Sequence, residues 1–113
     1  MAWKLWLDDV RPLADEMHQD GWIHAHTAGE AEFFIVMLGA PEFVSFDHDL
    51  GEGNRTGMDF AKYLVEEDIR ENGMFLPEDF DFIVHSANPV GAMNISTYLL
   101  QYLKVKSESQ PII

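Results

Sequence analysis

Apolar residues along this chain fall into two kinds of run. Lys4 to Leu7, Trp22 to His26, Phe43 to Phe46 and Phe80 to Val84 are short and dense, each closed by polar or turn-forming residues, the length and composition of strands. Between them apolar positions recur at helical spacing. Ala31, Phe33, Phe34, Val36, Met37 and Leu38 mark one helix, which Thr27 and Glu30 open as a capping box and Gly39 to Pro41 stop. Met58, Ala61, Leu64, Val65 and Ile69 mark a second, ended by Gly73, and a third runs from about Val90 to Leu103. Arg11, Pro12 and Leu13 begin a connection with room for a short helix through Met17.

Strand and helix in alternation predict an α/β domain with a parallel sheet, right-handed crossovers and helices packed on its faces. The strands read as continuous apolar runs, as buried parallel strands do. One domain over residues 1–103 is expected, with residues 104–113 as a tail that supplies at most a short extra strand. A sheet without a full fifth strand leaves an edge open, which offers a route to a homodimer.

Composition narrows the function. The chain of 113 residues, 47 % hydrophobic, suits one small core. Cysteine is absent, which removes disulfides, thiolate metal sites and cysteine nucleophiles. Seven basic against twenty acidic residues give a formal charge of −13, which opposes non-specific binding to nucleic-acid backbone or to anionic membrane. No apolar run is long enough to span a bilayer and the first residues carry no secretory cleavage pattern, so a cytoplasmic protein is expected. The acidic excess serves solubility, and clustered carboxylates can also hold a divalent cation or meet a basic partner.

Three strands end in polar residues that a core does not require: Asp8-Asp9 after the first, Asp47-His48-Asp49 after the third, His85-Ser86 after the fourth. With strand order 2-1-3-4 these ends meet at the topological switch point, where ligands bind in open α/β sheets. Carboxylates gathered there repel one another unless protonated or neutralised by a cation, and hard oxygen donors suit Mg2+, Mn2+ or Ca2+. Asp8, Asp9, Asp47 and Asp49 are the candidate metal ligands. His48 and His85 are candidates for general acid, general base or metal ligand. His24 and His26 are read as structural, and His18 as a surface residue. The loop Gly51 to Gly57 carries Arg55, either a phosphate clamp or part of a flexible connection. Ser86 and Asn88 precede the last helix, where hydroxyl, amide and backbone N–H groups suit an anion and also cap the helix. Arg11 can contact phosphate or pair with Asp8 or Asp9. The aromatic residues, Trp3 and Trp6 among them, are read as core packing.

Taken in order, Leu-Trp-Leu-Asp8-Asp9, Phe-Val-Ser-Phe-Asp47 and Phe-Ile-Val-His85-Ser86-Ala87 resemble a response-regulator receiver domain. The strings Leu-Asp-Asp-Val-Arg-Pro, Asp-His-Asp-Leu and His-Ser-Ala-Asn-Pro are similar to those of the cyclic-phosphate processing receiver domains. The resemblance implies a three-layer, flavodoxin-like fold and magnesium held by Asp8, Asp9 and the phosphoacceptor position Asp47. It places Asp49 where the family uses a backbone carbonyl, and Ser86 where a hydroxyl contacts the phosphoryl group. The receivers' strand-five lysine has no secure counterpart in Lys104 or Lys106.

The leading expectation is a metal-dependent phosphoesterase or phosphotransfer enzyme with Mg2+ or Mn2+, acting on a cyclic phosphate of a nucleotide or RNA end. In it Asp47 is ligand or nucleophile, His48 or His85 moves a proton, and Ser86, Asn88, Arg55 and Arg11 orient phosphate oxygens. Two alternatives stand beside it: a non-catalytic module that accepts or binds a phosphoryl group, and an acidic inhibitor of a basic protein partner.

Overall fold

The computed structural model describes residues 2–109. Its strands are β1 (Lys4–Leu7), β2 (Trp22–Ala25), β3 (Phe43–Phe46) and β4 (Asp81–Val84). They alternate with α1 (Asp15–His18), α2 (Ala28–Leu38), α3 (Gly57–Arg70) and α4 (Pro89–Ser109). All pairings are parallel and the order is β2-β1-β3-β4. Leu7 stands opposite both Ala25 and Phe46, and Phe46 opposite Val84. The strands therefore end level, and the residues immediately after them, Asp8, Asp47 and His85, emerge along one edge.

Side chains alternate across a strand, and the two faces of this sheet are treated differently. Leu5, Leu7, Ala25, Val44 and Phe46 are buried on one face, with Ile23, Phe82 and Val84 packed beside them. Ala28, Ala31 and Ile35 of α2, Phe60 and Leu64 of α3, and Ile95 and Leu99 of α4 close this core. Each large side chain fully buried there contributes about 1.5–3 kcal/mol. The other face carries Trp6, Trp22, Phe43 and Ile83, none of which joins that core. Its rings shield one another edge to face, Trp6 on Trp22 at 6.4 Å and Trp22 on Phe43 at 5.6 Å. Among the described residues the second helical layer is represented only by the single-turn α1 beside β2. Trp3 is core, as read from the sequence, but Trp6 belongs to this thinly covered face.

Local chemistry explains where the elements begin and end. Thr27 caps α2 by accepting the Glu30 N–H at 3.0 Å. The expected reciprocal bond does not form, because the Glu30 carboxylate turns to His26 Nδ1 at 3.0 Å. The full capping box stands on α3 instead: Asp59 N–H donates to Thr56 Oγ1 at 3.2 Å, and Thr56 N–H to Asp59 Oδ2 at 2.8 Å. Asn88 opens α4, accepting the Gly91 N–H on Oδ1 at 3.0 Å. Pro89 takes the first helical position, where its missing N–H costs nothing.

The end of α4 corrects the sequence reading. Residues 104–109 continue the helix where a tail from Lys104 was expected, and Leu103 is not a structural break. Tyr102 and Lys106, one turn apart, both reach Asp68 of α3, with Tyr102 O–H donating at 2.6 Å and Lys106 Nζ at 2.9 Å. That pairing gives the last turns a tertiary reason to stay helical. The rest of the expected tail, residues 110–113, lies outside the described residues. No helix among those described is long and apolar enough to cross a membrane.

Candidate metal and phosphate site

The site begins with Asp8, which β1 delivers at the sheet edge with 0 % of its surface exposed. The chain turns sharply after it, so that the N–H groups of Val10 and Arg11 donate to Asp8 Oδ1 at 2.8 and 2.7 Å. The second oxygen, Oδ2, lies 2.8 Å from His85 Nε2. Burial pushes the Asp8 carboxyl up, but the Arg11 and Val10 N–H bonds and His85 outweigh it and hold the group below its ordinary range.

Asp47, 8 % exposed, comes directly after β3 and faces the same place. Its carboxyl is pushed up, first by burial and then by the charge of Asp8, against the Ser86 hydroxyl bond and the nearby His85 and Arg11 side chains. One donor atom each from Asp8, Asp47 and His85 can be chosen so that all three lie within 4.8 Å of one another. Gly57, at the start of α3, lets the backbone close around this point. Its N–H donates to the His48 carbonyl at 2.7 Å, and a Cβ there would sit 2.0 Å from the Asp47 carbonyl oxygen, so only glycine fits.

His85 is held on several sides. Its Nδ1 lies 2.7 Å from the hydroxyl of Ser45, a fully buried residue of β3. Its ring stacks on Trp6 with centroids 4.0 Å apart and planes 1° from parallel. Trp6 Nε1–H donates to the Arg11 carbonyl at 2.9 Å, and Arg11 Nη1 to the His85 carbonyl at 2.7 Å. His24, read as structural, donates from Nε2 to the Asp8 carbonyl at 2.7 Å and stacks on His26.

A second group forms the rim. His48 Nδ1 lies 2.9 Å from Asp49 Oδ1, and Asn88 Nδ2 donates to Asp49 Oδ2 at 3.3 Å. The His48 bond is the main reason the exposed Asp49 carboxyl sits below its ordinary range. The His48 imidazole packs against the first turn of α4, where a Cβ on Gly91 would stand 2.4 Å from its Cγ. Ser86 Oγ accepts the Asn88 N–H at 3.1 Å.

The residues expected to share one crevice therefore divide. Asp8, Asp47, His85, Arg11 and Ser86 converge. Asp49 and His48 pair with each other at the rim beside Asn88, so the Asp49 carboxylate is not part of the buried cluster. Asp9 is half-buried with its Oδ2 beside Gly51. Arg55 is turned away: it forks onto Glu32 of α2 at 2.9 and 2.6 Å, a bidentate pair made possible by the packing of α2 on α3. Arg11 resolves into two roles, its backbone N–H on Asp8 and its guanidinium on the His85 carbonyl.

Sequence reasoning passed over Ser45, whose signal was a lone hydroxyl in a strand of otherwise apolar residues, and placed Trp6 in the core instead of on His85. Two close carboxylates in a surrounding of largely oxygen donors suit a hard divalent cation such as Mg2+ or Mn2+. The raised Asp47 carboxyl supports that fit, since a cation would relieve the repulsion that raises it.

The family model of the cyclic-phosphate processing receiver domain matches residues 3–101. A solved structure, described as a fusion carrying the trimeric coiled coil of yeast Spc42, is similar at 16 % identity with a TM-score of 0.50. The alignment covers 96 % of this chain and 85 % of that one, and at this identity it bears on the fold alone. A comparison with curated proteins gives no match.

Proposed function

We propose, from the premise that this chain belongs to the cyclic-phosphate processing receiver domain family, that it carries out divalent-metal-dependent chemistry on a cyclic phosphate of a nucleotide or RNA end. The observation that carries the reading is the convergence of two buried carboxylates, Asp8 and Asp47, with His85 at the strand ends. Buried like charges at that distance oppose one another, and a fold retains such an arrangement where a ligand relieves it.

In this reading Asp8, Asp9 and Asp47 hold Mg2+ or Mn2+. When bound, the cation supplies charge to phosphoryl oxygens and lowers the pKa of a coordinated water. The chain's own groups do the rest. The Ser86 hydroxyl and the Arg11 guanidinium, both already bearing on Asp47, orient phosphate oxygens at the carboxylate. The Asn88 amide and the first turn of α4 offer further donors. His48 moves the proton: Asp49 orients its Nδ1, and its Nε2 makes no hydrogen bond among the described residues. Arg55, committed to Glu32, takes no part.

The test is turnover of a panel of cyclic nucleotides and RNA 2′,3′-cyclic ends with Mg2+ or Mn2+. Opening of at least one substrate is expected, abolished by Asp47→Asn and by chelation. Absence of both turnover and binding across the panel, with protein shown to be folded, overturns the proposal.

A further inference from the structure

We infer that Ser45 and Trp6 are positioning residues for His85, and that His85 serves to hold Asp8 in place instead of exchanging protons with a substrate. The geometry comes from three directions. An ionised carboxylate only accepts hydrogen bonds, so the His85 Nε2 that lies 2.8 Å from Asp8 Oδ2 carries the hydrogen. The other ring nitrogen, Nδ1, meets the Ser45 hydroxyl at 2.7 Å and accepts from it when the ring is neutral. Ser45 is wholly buried in β3, where an unsatisfied hydroxyl is costly, and the imidazole is the partner its side chain has. The third restraint is the parallel Trp6 ring, which closes one face of the imidazole.

The restraints form a closed circuit. Trp6 is tied to the Arg11 carbonyl, the Arg11 guanidinium to the His85 carbonyl, and the Arg11 N–H to Asp8. Both imidazole nitrogens are thus occupied by buried side chains, and the ring cannot turn without breaking the stack. A ring so fixed is a poor proton shuttle and a good brace, because it sets one oxygen of Asp8 while the Val10 and Arg11 N–H groups set the other. This consequence rests on the metal-and-phosphate reading; the geometry of the brace does not.

The experiment uses the full chain labelled with 15N-histidine, which has five histidines to resolve, at neutral pH and without metal. Long-range 15N–1H spectra should show His85 as a single Nε2–H tautomer with Nδ1 as a hydrogen-bonded acceptor. Ser45→Ala should shift Nδ1 to the position of an unbonded acceptor and speed exchange of the Nε2 proton by about tenfold, the worth of one net hydrogen bond. The same variant should bind Mg2+ about tenfold more weakly or worse, as loss of an outer partner does at metal sites. Should Ser45→Ala fail to fold, Trp6→Phe decides: it keeps an aromatic ring but loses the bond to Arg11, and should speed the same exchange. Unchanged His85 nitrogen shifts in Ser45→Ala, or unchanged exchange in Trp6→Phe, overturns the inference. If the unsubstituted chain binds no Mg2+, the proposed function falls, while the tautomer comparison still decides the brace.

Discussion

Among the described residues two carboxylates are wholly withdrawn from solvent, Asp8 at the end of β1 and Asp68 on α3, and each is surrounded by donors. Asp68 Oδ1 accepts the N–H groups of Phe75 and Leu76 at 3.1 and 2.8 Å, and Oδ2 takes the Tyr102 hydroxyl and the Lys106 ammonium. Burial raises its carboxyl, but Tyr102, Lys106 and the Leu76 N–H outweigh it and hold the group below its ordinary range. Asp8 likewise accepts two backbone N–H groups on one oxygen, those of Val10 and Arg11, but its second oxygen faces an imidazole, and a donor atom of another carboxylate, Asp47, lies within 4.8 Å. The charge at Asp68 is closed within the fold by a lysine. At Asp8 and Asp47 it is left in excess. Burial of a charge alone therefore does not mark a candidate site; a second carboxylate gathered beside it does.

The largest test of this contrast is Asp68→Ala, which removes the buried carboxylate that Lys106 Nζ meets at 2.9 Å and takes the acceptor from the buried Leu76 N–H and the part-buried Phe75 N–H. A loss of about 3–5 kcal/mol in a denaturant melt is expected, the cost of breaking one side of a buried pair. A smaller loss, near that of a surface change, would contradict the structural role given to Asp68. Next in size is the response to cation: Mg2+ at one hundred times its Kd should stabilise the unsubstituted chain by about 2.7 kcal/mol, with no stabilisation in Asp47→Asn. Without metal, Asp47→Asn should itself stabilise the fold at neutral pH, because it removes a carboxylate that burial and Asp8 disfavour.

The pH dependence has opposite signs at the two places. Asp68 and Asp8 are depressed, so the stability they contribute is present above the unfolded-state value near 3.8 and is lost as pH falls through their folded values. Asp47 is raised, so its contribution is present below 3.8 and is lost as pH rises through its folded value. Acid unfolding should therefore become less steep in Asp68→Asn, while Asp47→Asn should gain stability over the unsubstituted chain only above pH 3.8. Equal pH profiles for the two variants would erase the distinction. The smallest effect belongs to Glu32→Gln, which frees the half-exposed Arg55 for less than about 1 kcal/mol and should leave cation binding unchanged.

How far the sequence carries differs between these regions. The strands β1 and β3 have the expected bounds because dense apolar runs ended by acids leave little choice. Asp8, Asp47 and His85 were legible for the same reason, since parallel strands of matched register bring the residues just past their ends to one edge. Asp68 was not, although it sits four residues after Leu64 on the buried face of α3, because its partners lie at Leu76, Tyr102 and Lys106, beyond any local pattern. The pairing of Arg55 with Glu32 depends likewise on two helices meeting. The continuation of α4 through Ser109 was hidden because residues 104–109 contain one large apolar side chain, Val105, while the contacts that hold the helix are polar.

Mn2+ added in small steps to 15N-labelled protein tests the central contrast most directly, since a paramagnetic ion broadens the amides nearest it. Selective loss of signals is expected at residues 8–10, 47–49 and 85–88, with Asp68, Tyr102 and Lys106 unaffected until much higher concentration. Broadening that begins at Asp68, or that spreads evenly over the acidic surface, would contradict it.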